Sequence, residues 1–342
     1  MTFALRWLAA LVFLGALPLT QATTRADTLQ DVKARGVLRC GVDGTLPGLS
    51  FKDSAGNWSG LDVDFCRALA AAVLGHRDRL ELVPTPSTTR FAALREGRVD
   101  LLSRNTTWTL ARDTAPDIGF VATLYHDGQG FMVSRDTSTL SARELSRKPV
   151  CAVAGSTGPN DARSYFARNG MELDLKAFPD IGGATKAYLD GACYALTTDH
   201  SQLHALRAAM GGENAQRILP EVISKEPLAP AVRNGDDRWF NIVRWTLFTL
   251  INAEEAGVTS ANADATRARA RTGELRLLLD VDGETGKLLG LDPGWSYRII
   301  DQVGNYGEVF ERNLGEGSAL KIKRGLNALW RDGGVLYAPP IR

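Results

Sequence analysis

"LDVDFCRALAAAVLG", residues 61–75, is the stretch on which the fold turns. Leu61, Phe65, Leu69 and Val73 recur at the spacing of one helix face, Asp62 stands where it can cap the first turn, and Gly75 ends the run. Upstream lies "VLRCGV" (37–42) and downstream "RLELVP" (79–84), both short and apolar enough to read as strands. Further on, "TTRFAALREG" (88–97) reads as a helix stopped by Gly97, and "RVDLLS" (98–103) as a third strand. The order β-α-β-α-β predicts an α/β protein with a mainly parallel sheet and helices on both faces.

The same pattern restarts downstream. "GQGFMVSRD" (128–136) is extended, "KPVCAVAG" (148–155) opens another strand-loop-helix unit, and "ACYALTTD" (192–199) is a strand that ends in polar residues. A second extended stretch, 226–233, precedes a long helix from about Asp236. Two extended crossings predict one lobe inserted into another: 27–130 as the first part of lobe 1, 131–228 as lobe 2, and 229–342 as the return to lobe 1 with a C-terminal helical extension. At 342 residues with 44% hydrophobic content, two lobes are the default. A net charge of +1, from 40 basic and 39 acidic side chains, offers no footprint for nucleic acid or an anionic membrane.

Residues 1–26 read as a targeting segment. Arg6 is a thin positive start, the run from Leu8 to Leu19 is apolar but short for a bilayer, and cleavage is expected after Ala22 or Ala26. That predicts an oxidising compartment, where Cys40, Cys66, Cys151 and Cys193 would pair. Three pairings are possible, and one bridge per lobe, Cys40 with Cys66 and Cys151 with Cys193, is the simplest. No CxxC spacing occurs among the Cys residues, so no metal and no cofactor is expected.

The chemistry gathers after the strands. In open α/β sheets, ligands collect beyond the carboxyl ends of strands. There "SRNTTWTLARD" (103–113) presents Asn105, Thr107, a capping Thr109, and Arg112 in the first helical turn. A cation there opposes the helix dipole, so an anion gripped by the guanidinium is the expected reason, against a plain pairing with Asp113 or Asp117. In the second lobe, Ser156 and Thr157 precede a helix N-terminus, a ready anion site, and Asp199 leaves a strand at the same kind of edge. An Arg with donors for one group and an Asp for another describe the two ends of a zwitterion. No GxSxG, HExxH or Cys-His pairing supports an enzyme; His200 beside Asp199 is the one candidate general base.

Long blocks carry a resemblance: "TLQDVKARGVLRCGV", "GNWSGLDVDFCRALAAAVLG", "RFAALREGRVDLLSRNTTWTLARDT", "YHDGQGFMV", "LPEVISKEPLAPAVRNGDDRWFNIVRWTLFTLINAEE" and "LGLDPGWSYRIIDQVGNYGEVFERNLG". With these the chain resembles the periplasmic solute-binding proteins of polar amino-acid ABC transporters (family 3), in particular the general L-amino-acid-binding, AapJ/BztA-like group. The resemblance implies a type II periplasmic-binding-protein fold of two lobes with a two-strand hinge, a monomer that hands an L-amino acid to ABC permease subunits, and no catalysis. It implies Arg112, helped by Thr107, for the ligand α-carboxylate; Asp199, with the Asn105 carbonyl and the Thr107 hydroxyl, for the α-amino group; Ser156 and Thr157 from the second-lobe loop; and Asp43 and Arg90 facing the ligand side chain. Two positions depart from the pattern: Leu46, in "GTLPGLS", stands where relatives stack an aromatic ring, and "GPND" follows Thr157. Arg90, unless taken by Glu96 or Asp64, and a less shaped wall at Leu46 predict a broad binder inclined to Glu, Gln, Asp and Asn. A ligand-sensing receptor, or a dehydratase-like enzyme on the same fold, is the alternative.

Overall fold

A computed structural model describes residues 27–342; the expected targeting segment lies outside them. Two five-stranded sheets organise the chain. In the first, Leu38–Val42 runs parallel to Leu80–Pro84 on one side and Leu101–Leu102 on the other. Ala231–Arg233 then adds antiparallel, followed by Ile118–Phe120. In the second, Pro149–Val153 lies between Asp174–Phe178 and Ala195–Asp199, both parallel, with Gln129–Ser134 and Gln216–Ile218 completing the edge.

The two sheets are joined by Tyr125–Asp127 and Glu226–Leu228, which pair antiparallel. Gln129–Ser134 belongs whole to the second sheet, so the crossing is the segment before it and a boundary at 130/131 cuts through that strand. The same crossing holds the polar loop of the first sheet: Trp108 N donates to Pro227 O, and Ala229 N to Thr106 O.

The helix Leu61–Leu74 forms as its periodicity predicts and closes on Gly75 at φ +82°, a left-handed turn suited to glycine. Its start differs from expectation. Gly60 is the N-cap, and Asp62 makes no cap; its carboxylate instead accepts from Ser103 Oγ at 2.9 Å and Asn105 N at 3.1 Å. Burial behind that loop outweighs the advantage of capping, and pushes the Asp62 carboxyl up to about 7. The Thr109 hydroxyl does cap Leu110–Asp113, accepting from Arg112 N.

The C-terminal helices pack on the first lobe and extend its core, in which Trp239, Trp295, Tyr306 and Phe310 are fully buried. Arg298 donates to Ala71 O and Arg312 to Asp64, while the Tyr306 hydroxyl donates to Leu124 O. One disulfide lies in each lobe, Cys40 with Cys66 at a Cα separation of 6.2 Å and Cys151 with Cys193 at 5.7 Å. Among the described residues no helix is long and apolar enough to cross a membrane.

Candidate functional site

The parallel strands of both sheets end at one cavity of about 470 Å³. Asp43 follows the first strand, the 84–90 segment the second, and Asn105 and Thr107 the third; from the other sheet come Ser156 and Thr157, then Asp180, then Asp199. All eight residues singled out for a ligand, Asp43, Arg90, Asn105, Thr107, Arg112, Ser156, Thr157 and Asp199, line it, as does Leu46. This is the placement that strand polarity imposes on an open α/β sheet, repeated twice and brought face to face.

The first lobe supplies a basic wall. Arg112 donates through Nη1 to Thr107 O at 2.8 Å, and its guanidinium lies 5.8 Å from the centre of the Phe91 ring. It has no ion pair with Asp113 or Asp117 among the described residues. Arg90 lies over the same ring at 5.0 Å, so Phe91 holds two guanidiniums in place. Arg90 is 2% exposed, and its Nε finds no hydrogen-bond acceptor among the described residues. Glu96 pairs with Arg98, and Asp64 with Arg67 and Arg312, so neither expected competitor takes Arg90. Burial first, then the neighbouring Arg104 and Arg112, hold the Arg90 guanidinium well below its ordinary pKa. A buried cation so placed calls for an anion.

Arg104 is a member of this wall that sequence reasoning left unassigned. It forms an ion pair with Asp43 and also donates to Thr85 O at 2.6 Å and Ser87 Oγ at 3.0 Å. Asp43 lines the cavity, but its carboxylate is bound by Arg104 and by Thr45. Its charge is thereby compensated within the first lobe. Asn105 sits at φ +37°, with its N–H held by Asp62 and its side-chain oxygen accepting from Arg104.

The second lobe and the crossing supply acids. Asp199 is 8% exposed and accepts from Gln202 Nε2. Burial, and then the charges of Asp127, Glu226 and Asp161, raise its pKa well above the carboxylate range, against the pull of Arg112. Burial likewise raises Asp127 and Asp161. The Ser156 and Thr157 hydroxyls differ from their expected use as anion donors, because Ser156 Oγ donates to Val153 O and Thr157 Oγ1 donates to Glu226. Glu226 itself was missed: an acid between prolines and lysine in an extended stretch has no local signature of burial. Among the described residues no group of His, Cys, Asp and Glu is arranged to hold a metal ion.

Residues 38–261 match the family described as bacterial extracellular solute-binding proteins, family 3. The general L-amino acid-binding periplasmic protein AapJ of Rhizobium johnstonii is 46% identical over 336 residues, covering 98% of each chain. The glutamate/glutamine/aspartate/asparagine-binding protein BztA of Rhodobacter capsulatus is 44% identical over 324 residues, 95% of this chain and 96% of its own. Among solved structures, a periplasmic binding protein from Brucella ovis with glutathione bound superimposes with a TM-score of 0.90 at 46% identity, over 93% of this chain and 100% of that one.

Proposed function

The chain belongs to the bacterial extracellular solute-binding proteins of family 3, and from that premise we propose that it captures L-amino acids in the periplasm and delivers them to an ABC permease. One observation carries the reading: Arg90 and Arg112, buried or half-buried and in no ion pair among the described residues, share a cavity with Asp199 from the opposite lobe. A zwitterion satisfies both sides at once. Its α-carboxylate meets Arg112, its α-ammonium meets Asp199, and a side-chain carboxylate or amide reaches Arg90. Charge-assisted hydrogen bonds contribute roughly 1.5–3 kcal/mol each, enough together for micromolar binding, about −8 kcal/mol, after ordering costs.

Arg90 and Leu46 favour a broad binder inclined to Glu, Gln, Asp and Asn. Relatives named for general and for Glu/Gln/Asp/Asn binding support that range. The matched relatives are binding proteins, and the wall offers no activated nucleophile; we assign this chain no reaction. Because Arg112 belongs to one lobe and Asp199 to the other, ligand contact with both biases the hinge towards closure, the form a permease, or a sensory partner in its place, would recognise. We place the hinge at Tyr125–Asp127 and Glu226–Leu228 and treat the chain as a monomer.

A second reading is favoured by the bound glutathione of the Brucella ovis structure and by a cavity roomy for one amino acid: a γ-glutamyl peptide presents the same zwitterionic head. Calorimetric titration with the twenty L-amino acids and with glutathione separates the two. Micromolar binding of L-glutamate that glutathione fails to displace supports the first; glutathione alone binding supports the second; a ligand lacking an α-amino acid head defeats both.

A further inference from the structure

Glu226 lies on the crossing strand, 2% exposed, and no ligand contact has been assigned to it. Its Oε2 accepts the Thr107 hydroxyl at 2.6 Å and the Thr157 hydroxyl at 2.9 Å, while Ser224 Oγ donates to Oε1. The two threonines come from opposite lobes and both line the cavity. One carboxylate therefore ties the loop of the first sheet to the loop of the second beside the crossing strands.

The consequence lies in the protons. A hydroxyl has one proton to donate and two lone pairs. Once Thr107 and Thr157 have each given that proton to Glu226, their oxygens can only accept from anything else in the cavity. Asp161, raised by burial and by Glu226, is a second acid beside Thr157; whichever of the two carboxyl groups takes the Thr157 proton, the hydroxyl oxygen is left as an acceptor. Two oxygens fixed as acceptors, backed by a buried carboxylate, suit a group that has several protons, carries positive charge and lacks lone pairs.

We propose that Glu226 is a positioning residue: it sets the hydroxyl polarity of Thr107 and Thr157, and thereby selects ligands with an α-ammonium over those with an α-hydroxyl or α-keto group. The proposal rests on the amino-acid reading above and names the residue that enforces it. An α-keto oxygen in this place would set lone pairs against lone pairs, and an α-hydroxyl has a single proton for two acceptors.

The test is Glu226→Gln. Glutamine has the same shape; where its amide nitrogen faces the threonines it donates to one of them and turns that hydroxyl's own proton into the cavity, and where the nitrogen faces Ser224 the parallel variant Glu226→Leu, which offers the threonines no acceptor, frees both protons. Calorimetry on wild type and variant with L-glutamate and with 2-hydroxyglutarate reads the preference for ammonium over hydroxyl. That preference should narrow by about tenfold or more, the difference between a charge-assisted and a neutral hydrogen bond, while the melting temperature stays close to wild type. A ratio unchanged in both Glu226 variants, whether both affinities fall together or neither moves, overturns the proposal alone. A wild type that binds no L-amino acid overturns the parent reading and takes this one with it. Should Glu226→Gln fail to fold, Thr157→Val is compared with Thr157→Ser: serine should keep the wild-type ratio and valine narrow it, and equal ratios in the two overturn the proposal.

Discussion

Ligand binding should expel a proton from Asp199. In the ligand-free protein this carboxyl is buried, with Asp127, Glu226 and Asp161 nearby, and its pKa is raised well above the usual range, so it keeps its proton to higher pH than an exposed aspartate does. An α-ammonium needs the ionised form. The free protein therefore holds a proton that the complex releases, and affinity rises with pH until Asp199 ionises unaided. For one proton fully released the slope is tenfold per pH unit, about 1.4 kcal/mol. Titrating L-glutamate at pH 5.5, 6.5 and 7.5, in buffers of low and high ionisation enthalpy, yields both the slope and the proton count. Asp199→Asn should release almost none and bind roughly tenfold to a hundredfold more weakly, the loss of one charge-assisted bond. Flat affinity with buffer-independent heat refutes the argument. So does an Asn variant that releases the wild-type proton, which would assign the titration to Asp161 instead.

Arg112→Ala should leave the melting temperature near wild type and cost about 3–5 kcal/mol of ligand affinity, because a buried carboxylate loses its partner; Arg112→Lys should bind weakly, since an ammonium lacks the planar fork. Near-normal calorimetric affinity in either would return Arg112 to a structural role. In competition assays, Arg90→Ala should weaken glutamate and aspartate more than alanine; equal losses would mean that Arg90 never meets a side chain. Asp62 supplies a stability test. Its pKa rises from 3.8 to about 7 on folding, so its contribution is complete below about pH 4 and is lost as pH rises through 7, on the order of 4 kcal/mol. Asp62→Asn should flatten the fall in urea stability between pH 4 and 7, and parallel profiles for the two proteins would show that Asp62 does not titrate there.

The sequence by itself determined the elements and the ring of residues at their ends. Strand and helix periods, the glycine stops at Gly75 and Gly97, and the Thr109 cap are local, spanning a few residues each, so they were legible without the fold. Once the strands were placed, strand polarity alone sent Asn105, Arg112, Thr157 and Asp199 to the same edge. Which of those groups remain free to bind was decided only by tertiary contacts. Asp43 is held by Arg104, 61 positions away, and the hydroxyls of Thr107 and Thr157 give their protons to Glu226, 119 and 69 positions away. Asp62 occupies a capping position by pattern, yet serves a loop 41 residues on because that loop folds over it. A hydroxyl donates or accepts, and a carboxyl is charged or neutral, according to its partner in space. Periodicity places the group; only the packed structure supplies the partner.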